Sequence, residues 1–170
     1  MDFFDVVKSR RSVRKYSDQQ VPRDVLERIV EAGINAPTGC NFQLKQYLIV
    51  DEPEMISRLR FVSKAMTGAP AAIVLLTEEK TTPYGEFWIQ DASAAMENML
   101  LAAVALGYAG CWIEGNIRPH EDKLREILKV PESLRVWALT PIGKPGIDAK
   151  RPPKPEPRQV IHYNSFGGGA

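Results

Sequence analysis

Residues 71–114 read AAIVLLTEEKTTPYGEFWIQDASAAMENMLLAAVALGYAGCWIE, and this stretch decides the fold. Its first seven residues, Ala71–Thr77, form a continuous apolar run with β-branched members. Such a run predicts a buried strand. Glu86–Leu106 is the longest helical pattern in the chain. It is apolar nearly all round, so it predicts a central helix covered by other elements. Gly107 closes it, and Ala109–Glu114 predicts a third strand.

The same grammar extends outward in both directions. Upstream, Asp2–Arg10 reads as a short helix. Pro22 opens a second helix, carried by Val25, Leu26, Ile29, Val30 and Ala32–Gly33 and stopped by Pro37. Gln46–Asp51 reads as a buried strand. Pro53 opens another helix, with Met55, Ile56, Leu59, Val62 and Met66 at helical spacing. Downstream, Pro119–Leu128 is a charged surface helix stopped by Pro131, and Leu134–Ile142 is a fourth strand. Helices in the connections between the first three strands favour a layered α/β or α+β domain over a barrel or bundle.

Composition shifts once, near Pro145. Residues 145–157 hold Pro145, Pro152, Pro153, Pro155 and Pro157, out of 13 prolines in the chain. Such a stretch predicts an extended arm rather than helix or central strand. At about 3.1 Å per residue it reaches roughly 40 Å. Gln159–Tyr163 reads as a short strand at its end, and 167–170 as a disordered terminus. The expected division is a domain over 1–144 and an arm over 145–166.

The chain has 170 residues, one domain's worth, with 22 basic and 21 acidic side chains and a net charge of +1. That balance argues against a nucleic-acid or acidic-membrane partner. Its two cysteines, Cys40 and Cys111, fit no zinc spacing and no disulfide framework. No stretch approaches the ~20 apolar residues of a membrane span, and the first residues do not read as a signal peptide. A cytoplasmic, reduced protein is expected, with no metal site.

Four segments carry chemistry. Arg10–Tyr16 (RRSVRKY) gathers four cations and a hydroxyl just after a helix, which suits a phosphomonoester. Read alone, it is also an ordinary solvated basic face. Ala36–Gln43 (APTGCNFQ) is a turn-rich loop whose amides offer donors and acceptors to a ring edge; it equally reads as a plain Asx-type loop. Gly110–Asn116 (GCWIEGN) ends a strand in a glycine turn, where a ligand could approach the backbone. Pro141–Pro145 (PIGKP) and the spaced cations Arg151, Lys154 and Arg158 form a proline-rich arm, or a solvated tail.

In order and spacing, these segments resemble those of the nitroreductase family of flavoproteins. RRSVRKY resembles its opening basic motif, APTGCNFQ its amide-containing loop, and Gln90–Ala103 its long central helix. GCWIEG, PIGKP and Val160-Ile-His-Tyr163 follow in the expected order. The resemblance covers about residues 2–166. It implies a three-layer α/β/α sandwich with a mixed, largely antiparallel sheet, in a homodimer with FMN at the interface and an exchanged C-terminal arm. It implies that Arg10, Arg11, Ser12 and Arg14 hold the FMN phosphate, ribityl chain and pyrimidine edge. Pro37, Thr38, Gly39 and Asn41 would come from the partner subunit and lie along the dimethylbenzene end and ring of the flavin, and Gln43 matches a family residue near the flavin. Ile113, Glu114 and Gly115 would offer backbone groups near flavin N5. Lys154 falls where the family places a phosphate-binding cation, with Arg151 and Arg158 as alternatives.

The implied activity passes reducing equivalents from NAD(P)H to a small electron-poor acceptor, such as a nitroaromatic or quinone, by a ping-pong mechanism. The cofactor would do the chemistry, in keeping with the lack of a catalytic triad in the sequence. Specialised flavin chemistry (reductive dehalogenation, flavin fragmentation or ene reduction) and flavin storage are the alternatives. Two departures from the family stand out. Leu44-Lys45 replaces a frequent Pro-Trp, and the span between Met66 and Asp91 is short. A more open flavin face is expected, with Tyr84, Phe87 and Trp88 as the aromatic candidates to line it.

Overall fold

The computed structural model describes residues 1–168; Gly169 and Ala170, the tip of the expected disordered terminus, lie outside the described residues. Helix α1 (Phe3–Ser9) is capped by the Asp2 carboxylate on Asp5 N–H, and α2 (Arg23–Ile34) follows Pro22. The edge strand β1 (Lys45–Val50) leads through α3 (Pro53–Leu59) to β2 (Ala71–Thr77). A small hairpin, β3 (Thr81–Thr82) with β4 (Gly85–Glu86), precedes the long α4 (Trp88–Ala105). Then come β5 (Ala109–Gly110), α5 (Glu121–Leu128), β6 (Arg135–Gly143) and a last turn, α6 (Pro157–Val160).

The four-stranded sheet has the order β1-β2-β6-β5 and is antiparallel throughout; among the described residues the one parallel pairing is a bridge between Ser12 and Gly110. Every residue of β2 is buried, because successive side chains enter different cores. Ala72, Val74 and Leu76 pack with Ile56, Leu59, Met66 and Leu124 on one face. Ala71, Ile73 and Leu75 pack with Leu26, Ile29, Met96 and Met99 of α2 and α4 on the other. These are the three layers, helix on sheet on helix. The register shifts by one residue between Leu75↔Ala138 and Leu76↔Val136. The bulge at Trp137 sends Val136 to one core and Ala138 to the other.

The structure departs from the sequence reading in five places. The helix expected to run from Pro53 to Met66 stops at Leu59 and continues as two 3-10 turns, Arg60–Val62 and Lys64–Met66. Ser63 between them is extended and its hydroxyl caps the second. The third strand covers only Ala109–Gly110, resuming as a bridge at Ile113↔Leu139. The gap falls opposite Thr140–Pro141, and Pro141 has no N–H to donate. The β3–β4 hairpin was not foreseen, and it delays the start of α4 to Trp88. The segment expected as a strand, Gln159–Tyr163, begins as helix. Pro157 sits at the first helical position, where its missing N–H is harmless, and Glu156 and Gln159 form a capping box. Gly168 N–H meets Ser165 C=O and its own carbonyl accepts Tyr163 N–H, so residues 163–168 close a turn rather than trail off.

Candidate functional site

The basic segment is held rigidly. Val6 and Val13 are buried, leaving Arg10, Arg11 and Arg14 on the outer side. Arg10 ends α1, its own N–H donating to Val6 C=O. Val13 N–H donates to Gly110 C=O at 3.0 Å, so Ser12 rides alongside β5. On its other side the segment meets the exit of β6. Ser17 N–H donates to Lys144 C=O at 3.1 Å and Gly146 N–H to Lys15 C=O at 2.9 Å. A side chain at Gly146 would stand 2.9 Å from the Tyr16 backbone, so only glycine permits this approach. The start of the arm is thereby part of the body of the domain, and the chain beyond it returns over the basic segment.

Arg10, Arg11, Ser12, Arg14, Lys150, Arg151, Pro152 and Lys154 line a cleft of about 330 Å³. Its lining holds six cations and a hydroxyl and no carboxylate. A second cleft of about 510 Å³ shares Ser12, Arg14 and Lys150 and adds Lys15, Lys64, Ala65, Ile147 and Ala149. The two therefore flank Ser12 and Arg14 as one elongated cationic trough. Arg158 lines neither cleft, whereas both Arg151 and Lys154 line the first. Arg11 has a structural duty as well, since its guanidinium donates to Lys8 C=O and Arg10 C=O at the end of α1, both at 2.6 Å.

Cys111 is buried beside Ser12 and Arg14. Burial pushes its thiol up, and the Arg14 charge and the hydrogen bonds of Ser12 and Arg14 only partly offset this. It is a thiol rather than a nucleophilic thiolate. Burial likewise raises the Tyr16 phenol well above its ordinary value, and its hydroxyl donates to Val13 C=O at 2.5 Å.

The amide loop is a separate cluster. Cys40, Asn41 and Gln43 all have positive φ, near 50–55°. The buried Asp91, in the first turn of α4, accepts Gly39 N–H at 2.8 Å, and Lys45 Nζ donates to Ala36 C=O at 3.3 Å. Burial lowers the Lys45 pKa, with Asp91 opposing. Gln43 donates its amide to Asn41 Oδ1 at 3.0 Å. Pro37, Thr38, Gly39, Asn41 and Gln43 do not line the two basic clefts of their own chain.

The Nitroreductase family model matches residues 7–65 and 57–144. The chain belongs to the nitroreductase family. A protein of Archaeoglobus fulgidus, provisionally named NADH dehydrogenase/NAD(P)H nitroreductase, is 36% identical over 150 residues, covering 82% of this chain and 83% of the relative. An NADPH-dependent oxidoreductase of Staphylococcus haemolyticus is 26% identical, over 98% of this chain and 75% of its own length. Among solved structures, an FMN-dependent nitroreductase of Clostridium difficile superposes with a TM-score of 0.81 at 28% identity, covering 95% of this chain and 98% of that one.

Within this nitroreductase chain, the remaining expected residues divide. Ile113 is committed to the sheet: its N–H and C=O both pair with Leu139, at 2.9 Å each, so it has no backbone donor to spare. Glu114 and Gly115 are exposed, with open space over Gly115. Trp88, expected to line the open face, is buried instead. It is 9% exposed and packs edge-on against Trp137, ring centres 5.3 Å apart. Phe87 packs against Gly39, and Tyr84 stands at the hairpin tip, 80% exposed. Lys64 is the residue that sequence reading missed. Its only signal was a cation placed just before the buried pair Ala65–Met66, and its neighbours Ser12 and Arg14 are distant in sequence.

Proposed function

We propose that this nitroreductase-family chain is an FMN-dependent oxidoreductase that passes reducing equivalents from NAD(P)H to an electron-poor acceptor such as a nitroaromatic or quinone. The observation that carries this reading is the elongated trough centred on Ser12 and Arg14. Its larger cation cluster, at Arg10, Arg151 and Lys154, suits a phosphate dianion. The second cleft, where Lys15 and Lys64 join Arg14, suits a polar ring edge. A run of cations without a carboxylate in the lining fits FMN by charge.

In this reading Arg10, Ser12, Lys154 and Arg151 hold the phosphate. Arg14 and Lys64 supply fixed positive charge beside the pyrimidine edge, which favours the reduced, negatively charged flavin. The Glu114–Gly115 turn, without Cβ at its second residue, admits the ring close to backbone. The two-electron chemistry of both half-reactions is supplied by FMN when it is bound. Donor and acceptor occupy one open face in turn, giving ping-pong kinetics, with Tyr84 and Phe87 as wall residues.

The site is completed in a homodimer. The Pro37–Gln43 loop serves the partner's trough, since it lines none of its own. The arm crosses to the edge of the partner's β1, where a groove of about 510 Å³ has an apolar floor of Leu48, Ile49, Val50, Met55, Ile127 and Leu128 and a charged rim of Arg23, Asp51, Glu52 and Lys129. Val160, Ile161 and Tyr163 are about half exposed on their own chain and are the apolar side chains available to fill it. The test is direct. The purified protein should be yellow, with about one FMN per chain, and should oxidise NADPH when given a nitroaromatic or quinone. A colourless protein that takes up no FMN on reconstitution would sink the reading.

A further inference from the structure

Among the described residues, Arg10 makes one ion pair, to Glu97, with Nε and Oε1 3.3 Å apart. The two side chains are 29% and 45% exposed, so the pair contributes little to stability. Its placement matters more. Glu97 lies one helical turn before Leu101 on α4, on the side where Leu101, Ala102 and Ala105 gather with Phe3 and Val6 of α1. The helix that supplies the carboxylate is thus the one against which α1, and with it Arg10, is packed.

A guanidinium has two edges that can receive an anion, one including Nε and one made of the two terminal nitrogens. Glu97 engages the Nε edge. The terminal fork stays available for a second anion. Without a carboxylate at Nε, Arg10 would be a long side chain repelled by the other five cations of the cleft, with several rotamers open to it.

We infer that Glu97 is a positioning residue that holds Arg10 by Nε, so that the terminal fork is preset for a phosphomonoester. The inference rests on the FMN reading above and deepens it, naming a side chain that sharpens the preference for FMN over unphosphorylated riboflavin through Arg10. Glu97 provides charge and orientation together, against the repulsion Arg10 meets from the other cations of the cleft. A neutral amide of the same shape keeps the acceptor but gives up the charge, so it holds Arg10 less firmly.

The test uses the full chain, loaded with FMN or with riboflavin. Release is followed by the rise in flavin fluorescence on dilution. Glu97→Ala should release FMN about tenfold faster, from loss of the ion pair that holds Arg10, while riboflavin release stays at the wild-type rate. Glu97→Gln should release FMN at a rate between those of wild type and Glu97→Ala, because the amide keeps an acceptor beside Nε without the charge. Thermal midpoints of both variants should match wild type. Unchanged FMN release in Glu97→Ala, equal acceleration of both flavins, or a Gln variant no better than Ala would each overturn the inference and leave the FMN reading standing. A wild-type chain that retains no FMN would overturn both, and is a separate result.

Discussion

Arg10 joins a cleft contact, made by its side chain, to a helix end, made by its backbone. Arg10→Ala should weaken FMN binding by about 2–3 kcal/mol, from loss of a charge-assisted fork. The flavin midpoint potential should move little, since Arg14 and Lys64 supply the charge at the ring edge; equilibrium titration and potentiometry check the two separately. Glu121 plays the structural counterpart. Buried at the start of α5, it accepts from Arg135 Nε at 2.7 Å, from the Arg135 terminal nitrogen at 2.6 Å and from Val136 N–H at 3.0 Å. Burial pushes its carboxyl up, but the Arg135 and Val136 hydrogen bonds and the Arg135 and Arg125 charges outweigh this and hold it below the ordinary 4.5. A depressed folded value gives stability in full above the unfolded value and loses it as pH falls through the folded one. Glu121→Gln should therefore cost about 2 kcal/mol near neutrality, and the gap to wild type should close below about pH 4.5. Urea midpoints across that range would show it. At this scale the basic motif was legible because four cations and a hydroxyl in one short segment carry their chemistry with them. Lys64 was not, because a lone lysine gains meaning only from neighbours the fold brings to it.

Among the elements, β2 and α4 were the most legible, since an unbroken apolar run and an all-round apolar helix leave few alternatives. The 109–114 segment was half legible. Its apolar pattern predicts a strand, yet pairing depends on what stands opposite, and Pro141 interrupts it. Pro157 misled in the other direction, because a proline that forbids helix interior also starts helices well. The close contact of β5 with β6 gives a prediction of its own. A Cβ on Gly110 would stand 2.5 Å from Thr140 Oγ1 and 2.9 Å from Pro141 C=O. Gly110→Ala should cost about 1–3 kcal/mol in the urea midpoint. It should also loosen flavin binding, since Gly110 C=O anchors Val13 between Ser12 and Arg14. A variant with wild-type stability would mean that β5 yields easily.

For the whole molecule, the arm is the decisive segment. Truncation after Gly146 removes Lys150, Arg151 and Lys154 from the trough and Val160–Tyr163 from the chain. The truncated protein should lose dimer mass in solution and most of its FMN. A full-occupancy dimer would show that the arm is a passive tail. The central pairing of the sheet bears on a different process, the order in which the chain can fold. Ala71 pairs with Ile142 and Thr77 with Arg135, so β2 waits for β6, far along the chain, to cover its second edge. Until then a fully apolar strand stands half paired, beside an α4 that has little polar surface to keep it in water. Closing so long a loop before any central contact forms is slow. During synthesis, residues 71–105 therefore leave the ribosome well before the strand that buries them exists. Nascent chains stalled ahead of Arg135 should bind hydrophobic-segment chaperones, and chains stalled beyond Gly143, once that residue has cleared the exit tunnel, should release them.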